Sequence, residues 1–141
     1  MINIHATLVK LKNKGILIIG KSGSGKSDLA LRLIMDKKAK LVADDRVDIE
    51  KKGDKLIGKA PLILYKKLEI RNVGICVCDE VVKSAEISLV VDLTDKKESL
   101  ERLPNAEFET FLGVNVPKIK LYAFECSTIH KIIQKISGKF I

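Results

Sequence analysis

Gly20-Lys21-Ser22-Gly23-Ser24-Gly25-Lys26-Ser27 satisfies the pattern G-x-x-x-x-G-K-[ST] at every fixed position. Glycines at 20, 23 and 25 let the backbone turn back on itself, so that successive N–H groups converge on one phosphate. The helix expected to follow adds partial positive charge at its first turn. In such a loop Lys26 reaches the terminal phosphates and the Ser27 hydroxyl holds Mg²⁺. The predicted nucleotide-binding residues are therefore Gly20, Ser22, Gly23, Ser24, Gly25, Lys26 and Ser27. A flexible Gly/Ser turn would explain the glycines alone, but it does not require what lies on either side.

Upstream, Gly15 to Ile19 is a continuous apolar run of the kind buried on both faces of a sheet. Downstream, Leu29, Leu31, Leu33 and Ile34 mark a helix from about Lys26 to Asp36, and Leu41 to Ala43 reads as the next strand. Strand, helix and strand in this span predict a βαβ unit, with a parallel strand pair and a right-handed crossover. Asp44 and Asp45 end its second strand, so both carboxylates should return to the rim where the glycine-rich loop begins. There one carboxylate would orient Mg²⁺ while the other accepts a proton from an attacking hydroxyl.

The rest of the chain reads as further α/β structure. Ile2 to Leu11 predicts a strand, and Val47 to Glu50 with Lys55 to Lys59 a hairpin on the sheet margin. Glu69 to Val77, Ile87 to Leu93 and Lys118 to Ala123 predict further strands. Lys96 to Pro104 suggests one or two helical turns, and Ser127 a cap for a C-terminal helix carrying Ile129, Ile132, Ile133 and Ile136. On a Glu69–Val77 strand, Glu69 and Arg71 would share a face, as a metal–phosphate pair or as a surface ion pair. A histidine in an apolar strand, such as His5, is more often structural than catalytic.

The chain has 141 residues, the size of one domain. Its net charge of +8 invites a nucleic-acid reading, but residues 1–40 hold nine basic side chains against Asp28 and Asp36. The remainder, with 17 basic and 16 acidic side chains, is nearly neutral. Aromatic residues are only 4%, too few for a base-stacking groove along a strand, so nucleic acid is not the expected partner. The longest apolar run falls far short of the roughly 20 residues that span a bilayer, and no secretory leader is visible. Three cysteines, an odd number, argue against a disulfide framework, which points to the cytoplasm. Cys76 and Cys78 lack a nearby partner for a metal site and read as buried strand thiols.

Other phosphate-loop proteins are tested by their missing signatures. There is no Asn-Lys-x-Asp for guanine, no Leu-Ser-Gly-Gly, and no arginine-rich lid, since arginine stands only at 32, 46, 71 and 102. What remains resembles the catalytic domain of the HPr kinase/phosphorylase family. The matching words are His5-Ala6, Gly15 to Ser27, Leu41-Val-Ala-Asp-Asp-Arg-Val47, Leu68-Glu-Ile-Arg71 with Gly74-Ile75, and Leu112-Gly-Val-Asn-Val-Pro-Lys-Ile119, in the family's order. After Arg71 the chain departs from the family's usual Gly-Leu-Gly-Ile, carrying Asn72-Val73-Gly74-Ile75.

The resemblance implies a phosphate-loop α/β domain over residues 1–141, in the short form that corresponds to the C-terminal catalytic domain. Its expected architecture is a mixed central sheet with flanking helices and a C-terminal helix, related to PEP carboxykinase. It implies ATP and Mg²⁺, the phosphocarrier protein HPr as serine substrate, a homo-oligomer, and reversal by inorganic phosphate to give pyrophosphate. Asp44 becomes the general base, and Asp45, Glu69 and Ser27 the Mg²⁺ network. His5 and Arg71 become phosphate-side residues, and Arg102, similar to a family arginine in the following loop, joins them and the two aspartates as a catalytic candidate. A regulator that senses nucleotide with little or no transfer is the alternative.

Overall fold

In a computed structural model describing residues Met1–Ile141, the glycine-rich loop joins β3 (Lys14–Gly20) to α1 (Lys26–Lys37), as the sequence predicts. The strand before it differs from expectation. Ile2 to Leu11 is not one strand but two, β1 (Ile2–His5) and β2 (Thr7–Leu11), separated at Ala6. β1 pairs with β5 (Arg46–Lys52), whereas β2 lies between β3 and β4 (Lys40–Ala43), antiparallel to both.

The predicted β3–β4 parallel pair is therefore corrected: the two strands run in the same direction, but β2 separates them. The cause is a tight turn at Lys12-Asn13, where both residues have positive φ (49° and 65°), folding β3 back on β2. Because β3 and β4 still point the same way, their carboxyl ends share one edge with the start of β2.

β5 and β6 (Lys55–Lys59) form the expected hairpin, yet it is not marginal: β6 pairs with β9 (Ser84–Thr94) and β1 covers the other side of β5. β9 runs parallel to β3 on one side, and its other side is shared between β6 and β11 (Val114–Tyr122). A strand at β10 (Glu107–Phe111), absent from the sequence reading, pairs with β11 across Leu112-Gly113, again with positive φ at both positions. The result is a mixed nine-stranded sheet, with β7 (Lys67–Ile70) and β8 (Gly74–Val77) as a separate hairpin. That hairpin replaces the single strand predicted over Glu69–Val77. Both arms carry β-formers, and the turn between them uses Asn72 at φ 71°.

Alternate residues of the central strands feed two cores. Val9, Leu11, Ile16 and Ile18 pack with Leu29 and Leu33 of α1 and with Ile129 and Ile132 of α2 (Thr128–Ser137). Leu8, Leu17 and Val90 pack on the opposite face with Val47, Ile49 and Leu56. Two further corrections are local. Only Lys97–Ser99 of the charged stretch is helical, a single 3₁₀ turn. Ser127 precedes α2 without a side-chain capping bond; instead Thr128 Oγ1 donates to the Tyr122 carbonyl at 2.6 Å. Neither helix is long and apolar enough to cross a membrane.

The outer strands carry a pH-sensitive pair. Lys118 Nζ donates to Glu109 Oε1 at 2.9 Å, and this bond, reinforced by the Asp92 and Glu107 charges, raises the lysine pKa above 10.5. A raised lysine pKa adds stability that is fully present below the unfolded value and is lost as pH rises through the folded one. Lys118→Met should therefore melt below the parent at neutral pH. In scanning calorimetry the gap should narrow as pH rises past 10.5, the ordinary lysine value.

Candidate active site

The shared carboxyl edge of β3 and β4 gathers the predicted residues. Asp44 follows β4 and is buried, with a relative exposure of 4%. Its Oδ1 accepts hydrogen bonds from Ser27 Oγ and Thr7 Oγ1, both at 2.8 Å, and its Oδ2 accepts one from the Glu69 N–H at 3.1 Å. Three donors fix the carboxylate from three segments: the loop helix, the start of β2, and the β7–β8 hairpin. A carboxylate offers about four acceptor positions, so roughly one remains for the cleft it lines.

Lys26 is also buried, and its ammonium donates to the carbonyls of Gly20 at 2.8 Å and Lys21 at 2.9 Å. These bonds tie the start of the loop to Lys26 at its end and leave the third N–H for a ligand. Burial lowers the Lys26 pKa below 10.5, while the Asp44 and Asp45 charges pull it back up. An arriving polyphosphate would add to that upward pull.

Asp45 occupies the left-handed region at φ 71°, with the Arg46 N–H bonded to the Asp44 carbonyl at 2.9 Å across it. Such a three-residue turn is strained for any residue with a side chain. It turns the second carboxylate away from the buried one, to 3.4 Å from His5 Nε2. His5, which read most readily as structural, thus stands at the rim beside the acidic pair.

A cleft of about 380 Å³ is lined by Ser22, Gly23, Gly25, Lys26 and Ser27 on one side and by His5, Asp44, Asp45, Glu69 and Arg71 on another. Arg71 is not on a strand face with Glu69; it sits in the turn after β7, and the hairpin carries both into the cleft. Gly20 and Ser24 do not line it. Ser24 is a buried residue of the loop, and its hydroxyl has no hydrogen-bond partner. Arg102 lies exposed beyond the 3₁₀ turn and does not line the cleft either.

Four lining residues were not singled out from sequence: Thr7, Asp28, Asn72 and Phe124. Thr7 had a readable signal, a hydroxyl two residues after His5 that leads directly into the apolar pair Leu8-Val9. Asn72 adjoins Arg71, whereas Asp28 and Phe124 carry no motif.

Gly25 shows why the loop needs glycine at this point. Its φ is 102°, and a Cβ there would lie 2.7 Å from Ala123 Cβ and 2.9 Å from Phe124 Cζ. Gly25→Ala should cost about 1–3 kcal/mol from the backbone conformation alone, before any clash. In a chain of this size each 1 kcal/mol lowers the melting midpoint by about 3–5 °C. A midpoint unchanged in a calorimetric scan would contradict this packing.

No three His, Cys, Asp or Glu side chains form a metal cage by themselves. Ser27, Asp44, Asp45 and Glu69 do bring oxygen donors to one cleft. That donor set fits Mg²⁺, which typically keeps water and takes one or two carboxylates together with substrate phosphates. The thiols are not part of it: Cys76 and Cys78 lie 4.0 Å apart, and burial, with the Cys76 contact, pushes Cys78 up to about 11.

The family model for the HPr Serine kinase C-terminal domain matches residues 1–141. HPr kinase/phosphorylase of Mycoplasmopsis pulmonis is 33% identical over 150 aligned residues, covering 99% of this chain and 48% of the relative. That of Pediococcus pentosaceus is 42% identical over 129 residues, covering 84% of this chain and 41% of the relative. The chain thus spans less than half the length of these curated relatives. The solved structure of the Hpr(Ser) kinase/phosphatase from Coxiella burnetii superposes with a TM-score of 0.83 at 30% identity, covering 96% of this chain and 88% of that one. Matched over its whole length by the family model, and in fold by a solved relative, the chain belongs to the HPr Serine kinase C-terminal domain family.

Proposed function

We propose that this chain is an ATP-dependent serine kinase that phosphorylates the phosphocarrier protein HPr and reverses the reaction by phosphorolysis. The observation that carries the reading is the Lys26–Ser27–Asp44 constellation, in which the Lys26 ammonium bonds the glycine-rich loop's own carbonyls while Ser27, the next residue, bonds the buried Asp44 carboxylate. The names of the relatives supply the reaction class. The loop is read as a nucleotide-phosphate loop, on a fold related to that of PEP carboxykinase. A cytoplasmic location and a homo-oligomeric assembly belong to the same reading.

In the kinase direction, the loop N–H groups and Lys26 hold the ATP phosphates and neutralise charge as the terminal phosphoryl group moves. Asp44 accepts the seryl proton as the serine oxygen bonds to phosphorus and the bond to ADP breaks. His5 and Arg71 stand at the rim to orient the phosphoryl oxygens. When bound, Mg²⁺ neutralises phosphate charge, held by Ser27 with Asp45 and Glu69. In reverse, a phosphate oxygen attacks phosphoserine, Asp44 returns the proton to the serine oxygen, and pyrophosphate leaves.

The Ser27–Asp44 bond at 2.8 Å favours one variation, in which Asp44 serves the metal side and the exposed Asp45 takes the proton. Asp44→Asn and Asp45→Asn separate the two by their magnesium dependence. The variant at the metal-side residue regains rate as magnesium is raised; the variant at the base does not. Incubation with phospho-HPr and excess phosphate tests the reverse reaction: pyrophosphate should form, and release of phosphate without pyrophosphate would refute phosphorolysis.

A further inference from the structure

Phe124 is the only apolar residue among the fourteen that line the cleft, and it is 55% exposed. Everything else facing that space is glycine, hydroxyl, amide, imidazole or charge. Such a lining suits phosphates and leaves a nucleotide's base with one flat apolar partner. Position supports the same role: the ring lies against Gly25, where the absence of a Cβ lets it approach the first turn of α1.

The turn that carries the ring is built with unusual support for an exposed aromatic. The Arg32 guanidinium, from α1, donates to the Ala123 carbonyl, and Thr128 Oγ1 donates to that of Tyr122. Glu125 pairs with Lys97 at 3.0 Å and with Lys131 at 3.2 Å, contacts that hold its carboxyl below the usual range. Tyr122 meets Phe124 edge to face, with ring centroids 5.6 Å apart. The neighbouring anion on this wall, Asp28, is already paired with Arg32 at 3.1 Å. The surroundings thus hold the turn in place, yet Phe124 itself stays open to the cleft.

We propose that Phe124 is the stacking platform for the base of the nucleotide whose phosphates the glycine-rich loop holds. The proposal rests on the nucleotide-binding reading above and assigns a subsite that the loop motif does not contain. Stacking uses the π-face common to all bases, so it adds affinity with little choice among them.

Calorimetric titration of the full chain with Mg-ATP and with Mg-tripolyphosphate, which lacks base and ribose, tests it. Phe124→Ala should weaken ATP binding by about 5- to 100-fold, the range for loss of one base–aromatic stack. Tripolyphosphate binding should stay as in the parent, and Phe124→Trp should retain ATP affinity. Equal loss of both ligands in Phe124→Ala would make the ring a mere support for the loop and overturn the proposal, as would unchanged ATP affinity. A parent chain that binds neither ligand would overturn the nucleotide reading itself. A parent that binds both equally well would overturn the stacking alone.

Discussion

Asp44→Asn is expected to slow phosphoryl transfer to HPr by about 10²–10⁴-fold, the range for removing a positioned general base. ATP affinity should change little, because the loop and Lys26 remain. The substitution suits the test because the site tolerates an amide. Its oxygen can keep the Glu69 N–H bond, while the Ser27 and Thr7 hydroxyls rotate to accept from the new NH₂ group. The fold should therefore survive, and the loss should fall on kcat. A drop in the melting midpoint large enough to unfold the protein at the assay temperature would show instead that the carboxylate is chiefly a structural clasp. Single-turnover rates measured beside a thermal melt distinguish the outcomes.

The second large effect is expected at Lys26. Lys26→Met keeps the buried stem but removes the ammonium that joins the Gly20 and Lys21 carbonyls and faces the phosphates. Removing one preorganised transition-state donor costs about 10²–10³-fold in rate. Lys26 should exceed that, because its loss also unties the start of the loop from its end. Unlike Asp44→Asn, this variant should weaken ATP and tripolyphosphate together, since both ligands meet the loop through their phosphates. Equilibrium titration with each polyphosphate checks the prediction. Undiminished binding would remove Lys26 from the phosphate site.

The site was more legible than the sheet that presents it. The loop and the Asp44-Asp45 pair are short motifs whose chemistry is written in consecutive residues, and parallel strand direction suffices to bring their ends together. The strand between them was hidden for a physical reason. β2 is buried along nearly its whole length and turns into β3 through Lys12-Asn13, a pair without glycine, so neither pattern nor turn residue marks it as central. The lysines there do not mark a solvated face either: Lys10 is half-buried and Lys12 lies in the turn.

The β7–β8 hairpin escaped detection because its two short arms read as one continuous run of β-formers and its turn rests on Asn72. That correction matters for chemistry, since Glu69 and Arg71 reach the cleft around a bend and not along one strand face. Phe124 had no sequence signal at all, because its importance comes from Gly25, a residue 99 positions earlier whose missing side chain makes room for it. Arg102 shows the reverse case: a family-like position that the fold leaves outside the cleft.

The most direct measurement is transfer of label from γ-labelled ATP to purified HPr by the full chain with Mg²⁺. Phosphoamino-acid analysis should find the label on serine, and Asp44→Asn should slow its transfer by about 10²–10⁴-fold while still binding ATP. ATP bound by the parent chain, with HPr left unlabelled, would contradict the kinase assignment and leave a nucleotide-sensing protein in its place.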